Sequence, residues 1–297
     1  MKITERIDAK THIPKECLCL KPPIPKSVKI EITSRCNYNC EYCGVKDSKR
    51  EKKDIDSGLM RELIFECCLN DIQEIGFFLL GEPLLNPKLC DYISYAKSLE
   101  MRTFVTTNGS LCDVKMFSRL QEAGLDSLKF SINAMSPLEY EKVHGVDNLD
   151  KVCNYLMDCN EIATTTKLSV STIWNKEHEN EMWAFDEMLE LVGIEQYYLP
   201  LYNQGGHTKG KLYGNIGRLD NPVKPDPCWN LFTQAHINVD GCMTACCFDH
   251  TGDFIVGDLN KVSFEEAWHS DKFQKLREQH LNGELSDSLC AKCLGIK

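Results

Sequence analysis

The chain has 297 residues, 42% of them hydrophobic, with 34 basic against 44 acidic side chains and a formal net charge of -10. That length allows one domain of about 200 to 250 residues with a smaller module beside it, and the apolar content excludes a disordered or fibrous chain. The acid excess argues against a broad nucleic-acid or anionic-membrane surface, and no apolar run approaches the roughly 20 residues that span a bilayer. The start, Met1 to Arg6, lacks the apolar core of a secretory signal, so a cytoplasmic location is expected. Disulfides are rare in such a reducing compartment, which makes the 17 cysteines candidate metal or redox groups.

Residues 1–27 read as an extension ahead of the first strand. Six β-rich runs follow, at 28–33, 75–80, 102–107, 127–133, 168–174 and 196–202, with helical stretches between them. Six β/α units in series predict an α/β fold with a parallel sheet, open or curled into a partial barrel. Asp56 or Ser57 opens a helix over 58–69, and Asn86 with Pro87 opens one over 88–99. After Tyr202 the composition turns to Gly, Lys and Asn, so Asn203, His207 and Lys209 are placed at the substrate end of the barrel or on a solvated loop. Residues 221–227 read as a linker, dividing a domain at 28–220 from a module at 221–297. In that module 237–241 reads as a strand entering a hairpin turn and 253–257 as its return strand. Ser263 and Glu266 form a capping-box pattern for a helix reaching Leu281, with Gly283 placed to end it.

Cys36, Cys40 and Cys43 follow the first strand directly, at the carboxyl end where β/α folds carry their sites. A structural zinc site needs a fourth ligand, and none is local. A cubane iron–sulfur cluster held by three thiolates leaves one iron open to a substrate or cofactor.

With Tyr42 one position before Cys43, this segment resembles the radical S-adenosylmethionine superfamily. The resemblance implies a partial (β/α)6 TIM-like barrel. It also implies a [4Fe-4S] cluster on Cys36, Cys40 and Cys43 whose open iron binds the methionine moiety, and reductive cleavage to a 5′-deoxyadenosyl radical. Gly81 and Glu82 match the family's segment that contacts the methionine amino group, although Leu80 stands in place of its first glycine. Asn108 closes the third strand and Ser131 and Asn133 close the fourth, where family members bond the ribose or carboxylate; Asn133 replaces a frequent aspartate.

Cys228, Cys246, Cys290 and Cys293 make a second set of four, which by itself suits a zinc ion or a cluster. The set is similar to the SPASM auxiliary-cluster domain in its shortened, twitch form, because no cysteine lies between Cys247 and Cys290. That resemblance implies a second [4Fe-4S] cluster. Cys247, beside Cys246, is the candidate hydrogen donor to a substrate radical; Cys242 is left over. Cys17, Cys19, Cys67, Cys68, Cys90, Cys112, Cys153 and Cys159 read as small buried hydrophobes.

Three functions follow. The first is an oxidoreductase or epimerase that takes hydrogen from a small polar substrate, such as a sugar or aminocyclitol, with an electron from an external donor such as flavodoxin or ferredoxin. The second is a maturase of a ribosomally made peptide; fewer than 30 residues precede the first strand, which leaves no room there for a leader-binding domain. The third is a non-enzymatic two-cluster electron carrier or zinc scaffold, which does not explain why one set has three members and the other four.

Overall fold

A computed structural model describes residue 5 and residues 11–174, 178–199, 227–285 and 289–294. The first six strands are β1 (Ser27–Ile30), β2 (Glu74–Gly76), β3 (Arg102–Thr107), β4 (Ser127–Ser131), β5 (Lys167–Ile173) and β6 (Glu195–Leu199). Each lies parallel to its predecessor, so spatial order equals chain order. The connecting helices are α1 (Ser57–Leu69), α2 (Leu89–Ser98), α3 (Val114–Glu122), α4 (Pro137–His144), α5 (Leu149–Ile162) and α6 (Glu179–Leu191). Right-handed crossovers between strands laid down in one direction put every helix on one face of the sheet. This is the partial (β/α)6 arrangement the sequence predicts.

Period-two alternation sorts side chains between the two faces. Val28, Ile30, Ile75, Phe77, Val105, Leu128, Phe130 and Val170 are wholly buried in the main apolar core. The other face carries a polar row beside Phe104: Thr106 lies opposite Lys129, Lys129 opposite Ser169, and Ser131 opposite Ser171. Asp56 caps α1 by accepting the Leu59 N–H at 3.0 Å. The second strand is shorter than its predicted six residues, because the chain leaves the ladder after Gly76 to form the turn carrying Gly81 and Glu82.

The second module is an extension of the same sheet. Its strands β7 (Ala235–Ile237), β8 (Cys242–Thr244) and β9 (Ile255–Asp258) follow β1 in the order β1-β7-β8-β9. β7 pairs parallel with β1, and β8 and β9 are antiparallel. The strand expected at 237–241 therefore ends at Ile237, and residues 238–241 are the turn. Its return partner is β8, with 253–257 supplying the third strand. The predicted helix from Ser263 to Leu281 is two helices, α8 (Phe264–Trp268) and α9 (Asp271–Asn282). The capping box at Ser263 and Glu266 is formed, yet Ser270 is extended and accepts the Phe273 N–H, starting a second helix. A serine hydroxyl near a helix end offers the backbone this alternative. Gly283 ends α9 at φ 71°, in the left-handed region where glycine is favoured.

Two short helices, α7 (Asn230–Thr233) and α10 (Leu289–Leu294), carry or adjoin cysteines of the second set. The end of the amino-terminal extension packs on this module. Trp268 Nε1 donates to the carbonyls of Pro22 and Pro23, each at 3.1 Å, and Arg277 donates to those of Leu20, Leu231 and Trp268. Asn203, His207, Lys209 and the linker at 221–226 lie outside the described residues.

Candidate active site

The loop after β1 is held from three sides. On the first side, Gly81 meets it so closely that a Cβ there would stand 2.0 Å from the Thr33 carbonyl oxygen, and the Glu82 N–H donates to the Arg35 carbonyl at 2.9 Å. On the second, Asn37 donates to Ser110 and accepts from Asn108, each at 2.9 Å. On the third, the C-terminal carbonyls of α4 accept N–H groups of the loop: Glu41 to Val143 at 2.9 Å and Asn39 to His144 at 3.3 Å. Gly145 follows at φ 74°, and a Cβ there would reach 3.0 Å from the Asn39 carbonyl oxygen.

Cys36 is exposed on this loop, Cys40 and Cys43 are half-buried, and the Cys43 N–H donates to the Cys40 carbonyl at 3.1 Å. Although Cys36 is exposed as a residue, desolvation around its sulfur pushes that thiol up to about 11, and burial raises Cys40 and Cys43 as well. The thiols also sit near enough to act on one another: Cys43 raises Cys36, and both raise Cys40. Among the described residues no three His, Cys, Asp or Glu side chains gather around a point that would hold a single metal ion. A four-iron cluster makes a different demand, one thiolate per iron, so its ligands need not meet at a point. Three neighbouring thiols on one loop fit that demand.

Glu82 is buried beneath this loop. Its carboxylate accepts from Thr107 Oγ1 at 2.7 Å, the Asn108 N–H at 2.8 Å and the Leu84 N–H at 3.1 Å. Desolvation nonetheless lifts its pKa to about 7, against which those three bonds pull down. Two oxygens with about four acceptor positions leave roughly one open after these three bonds. Asn108 is also committed, with Oδ1 accepting from Ser110 and Nδ2 donating to Asn37.

Tyr42 and Asn133 meet: Asn133 Nδ2 donates to the Tyr42 hydroxyl, and its Oδ1 accepts the Ile173 N–H at 2.8 Å. Asn133 thus joins the cysteine loop to the end of β5. Ser131 stands opposite Ser171 on the polar face.

In the second set, Cys228 is buried just before α7, and its N–H donates to His280 Nδ1 at 3.4 Å. Cys246 Sγ accepts the Phe248 N–H, and Cys247 Sγ accepts from Asn230 Nδ2 at 3.2 Å. Asp249 shapes that loop by accepting from Thr244 Oγ1 and the N–H groups of Gly252, Asp253 and Phe254. Cys290 and Cys293 lie three residues apart on α10, hence on one side of it. The loops of the two sets touch, since Ser48 Oγ donates to the His250 carbonyl at 2.6 Å.

Three residues around the site belong to no motif. Glu31 is wholly buried, pairs with Arg50 at 2.6 Å and accepts the Val239 N–H at 2.8 Å, so it ties β1 to the second module. Burial raises the Glu31 pKa against the pull of Arg50. His144 packs among Tyr38, Tyr42 and Tyr140 and contacts Cys40. Arg50, a basic residue seven places after Cys43, is the one hint in the sequence; nothing in the spacing marks Glu31 or His144.

The fold is a half-barrel whose first strand runs into a three-thiol loop, with a module carrying four further cysteines extending the same sheet. The radical SAM superfamily model matches residues 30–191, and that of the SPASM iron–sulfur cluster-binding domain matches residues 228–294. The chain belongs to the radical SAM superfamily and carries a SPASM domain after the barrel, with [4Fe-4S] clusters and S-adenosylmethionine as cofactors. It is 30% identical over 145 residues to a probable GTP 3′,8-cyclase of Methanococcus maripaludis, 47% of either chain, so it spans about half that relative's length. An uncharacterized protein of Methanocaldococcus jannaschii is 27% identical over 248 residues, 80% of this chain and 81% of that one. BtrN in complex with AdoMet and 2-DOIA superposes with a TM-score of 0.63 at 21% identity, covering 91% of this chain and 92% of that one. Streptococcus suis SuiB bound to S-adenosylmethionine gives 0.75 at 13% identity, covering 91% and 77%. These likenesses to solved structures are likenesses of fold. No helix among the described residues is long and apolar enough to cross a membrane.

Proposed function

We propose that this chain abstracts hydrogen from a small polar substrate of the sugar or aminocyclitol kind, giving dehydrogenation or epimerisation. One observation carries the reading: the row Thr106, Lys129 and Ser169 on the polar face of the sheet. The hydroxyls of Thr106 and Ser169, on either side of Lys129, are buried and have no hydrogen-bond partner among the described residues. A packed barrel carries branched apolar residues at such positions. Buried hydroxyls left unpaired cost about 1 to 3 kcal/mol each, which a ligand bearing hydroxyl or amino groups would recover.

When bound, the cluster and S-adenosylmethionine supply a 5′-deoxyadenosyl radical. In this reading Cys36, Cys40 and Cys43 hold the first cluster, and Cys228, Cys246, Cys290 and Cys293 the auxiliary one. Tyr42, Gly81, Glu82, Asn108, Ser131 and Asn133 would hold S-adenosylmethionine, with Gly81 keeping the loop close and Glu82 offering its open acceptor position to the amino group. If the product is an epimer, Cys247 would give its thiol hydrogen atom to the substrate radical, and the thiyl left behind would take one electron from the external donor and a proton from solvent; in a dehydrogenation the substrate radical would instead lose a proton to solvent and pass one electron to the auxiliary cluster. An external one-electron donor such as flavodoxin or ferredoxin would supply the electron this chemistry needs. BtrN, solved in complex with AdoMet and 2-DOIA, shares this fold.

The test is anaerobic reconstitution, iron analysis and assay of 5′-deoxyadenosine with deuterated aminocyclitols, sugars and peptides. Deuterium passing from a small polar substrate into 5′-deoxyadenosine supports the proposal, whereas turnover with peptides alone replaces it with peptide maturation. A single zinc and no iron removes the radical chemistry. Replacement of Cys247 by alanine with no change in product stereochemistry or turnover ends its donor role.

A further inference from the structure

We infer that His144 is a positioning residue that donates a hydrogen bond from Nδ1 to the Cys40 thiolate and thereby raises the reduction potential of the first cluster. This rests on the reading that Cys36, Cys40 and Cys43 hold that cluster. His144 closes α4 and lies 101 places beyond Cys43 in sequence, yet its ring stands against the cysteine loop. Nδ1 is 3.4 Å from Cys40 Sγ, and Nε2 is 3.3 Å from the backbone nitrogen of Asn133.

The second contact decides the tautomer. A backbone N–H can only donate, so Nε2 accepts and carries no proton. The proton of a neutral imidazole is then on Nδ1, aimed at the sulfur. Which nitrogen is protonated is set by the bond the other makes, as for metal-bound histidines.

The ring has little freedom to turn away. Tyr140 lies 4.1 Å from it between centroids, with Tyr38 at 5.6 Å and Tyr42 at 6.2 Å, and the Tyr38 and Tyr140 hydroxyls are 3.2 Å apart. His144 is 1% exposed. Its own carbonyl accepts the Asn39 N–H, so backbone and side chain grip the same loop.

One electron entering the cluster adds negative charge that is shared with its thiolates, and no proton needs to move. An N–H donor at the sulfur stabilises the reduced state more than the oxidised one, and hydrogen bonds to sulfur are among the levers that set such potentials. Burial of the site strengthens the effect by keeping water off the sulfur.

The experiment is a dithionite redox titration of the reconstituted protein followed by electron paramagnetic resonance, comparing wild type with His144→Phe and His144→Gln. The phenylalanine variant keeps a ring and loses the donor; the expected result is a first-cluster midpoint moved to more negative potential, with the auxiliary midpoint unchanged. Glutamine, which brings back an N–H, should restore part of the shift. A fully iron-loaded His144→Phe protein with an unmoved first midpoint would overturn the inference. Should that variant fail to load, electron–nuclear double resonance on wild type with ¹⁵N-histidine decides. A nitrogen coupling on the cluster signal that responds to S-adenosylmethionine supports the bond, and its absence refutes it. Absence of all iron, or of 5′-deoxyadenosine, instead defeats the functional reading on which the inference rests.

Discussion

The two cysteine sets are built by different means. Cys36, Cys40 and Cys43 lie within eight residues, and their loop is pinned to the ends of β2, β3, β4 and α4 by hydrogen bonds that reach across the barrel. Cys228, Cys246, Cys290 and Cys293 span 66 residues and come from a helix approach, a hairpin loop and a terminal helix. The first site therefore has a short loop whose framing is long-range. The second has cysteines drawn from distant parts of the chain, whose framing, such as Asp249 in its loop, is local. A compact loop can be preorganised by its neighbours, whereas scattered ligands depend on the whole module being assembled.

The largest expected effect separates the sites outright. Replacing Cys36, Cys40 and Cys43 together by alanine should abolish 5′-deoxyadenosine formation while about half of the reconstituted iron stays bound at the second set. Retained cleavage would refute the assignment, and loss of all iron would show that the second site cannot assemble alone.

Next in size is the tie between the regions. Arg50→Met leaves Glu31 buried without its cation, which costs about 3 to 5 kcal/mol when a buried pair is broken from one side. Urea denaturation should read that loss, and the double variant Glu31→Gln with Arg50→Met should recover much of it.

A smaller effect belongs to the first site alone and depends on pH. Glu82 holds its proton up to about 7 in the folded chain, and an unfolded glutamate releases it near 4.3. The folded state thus binds more protons between those values, so this group's contribution to stability falls as pH rises through the window and is constant above it. Wild-type protein without cofactors should lose about 2 to 3 kcal/mol relative to Glu82→Gln between about pH 4.5 and 8. A pH-independent difference between the two would contradict the buried, proton-holding carboxyl.

The smallest effect tests the second module's framing. Ser270→Ala removes the cap that starts α9 and should cost about 1 kcal/mol in thermal or chemical unfolding. A more stable variant would show that the break between α8 and α9 is imposed by packing of Trp268 and Arg277 rather than by the cap.

Much of this architecture is legible in the amino-acid sequence. Alternation of β-rich and helical runs locates all six barrel strands, and Asp56, Ser263 and Gly283 mark helix ends correctly because capping is a local bond between near neighbours. The cysteine spacing locates the loop for the same reason. Asn133 can be placed at a strand end, but its bonds to Tyr42 and the Ile173 N–H carry no sequence signal, since both partners lie tens of residues away.

Short-range patterns along the chain thus suffice for the family, the parallel order of the barrel and the cysteine inventory. The folded molecule alone reveals that β7 adds the second module to β1, that Glu31 and Arg50 seal the join, and that His144 faces Cys40. Each of these is a contact across 19 to 208 residues, formed because burial requires every buried charge and strand edge to find a partner, whatever its distance along the chain.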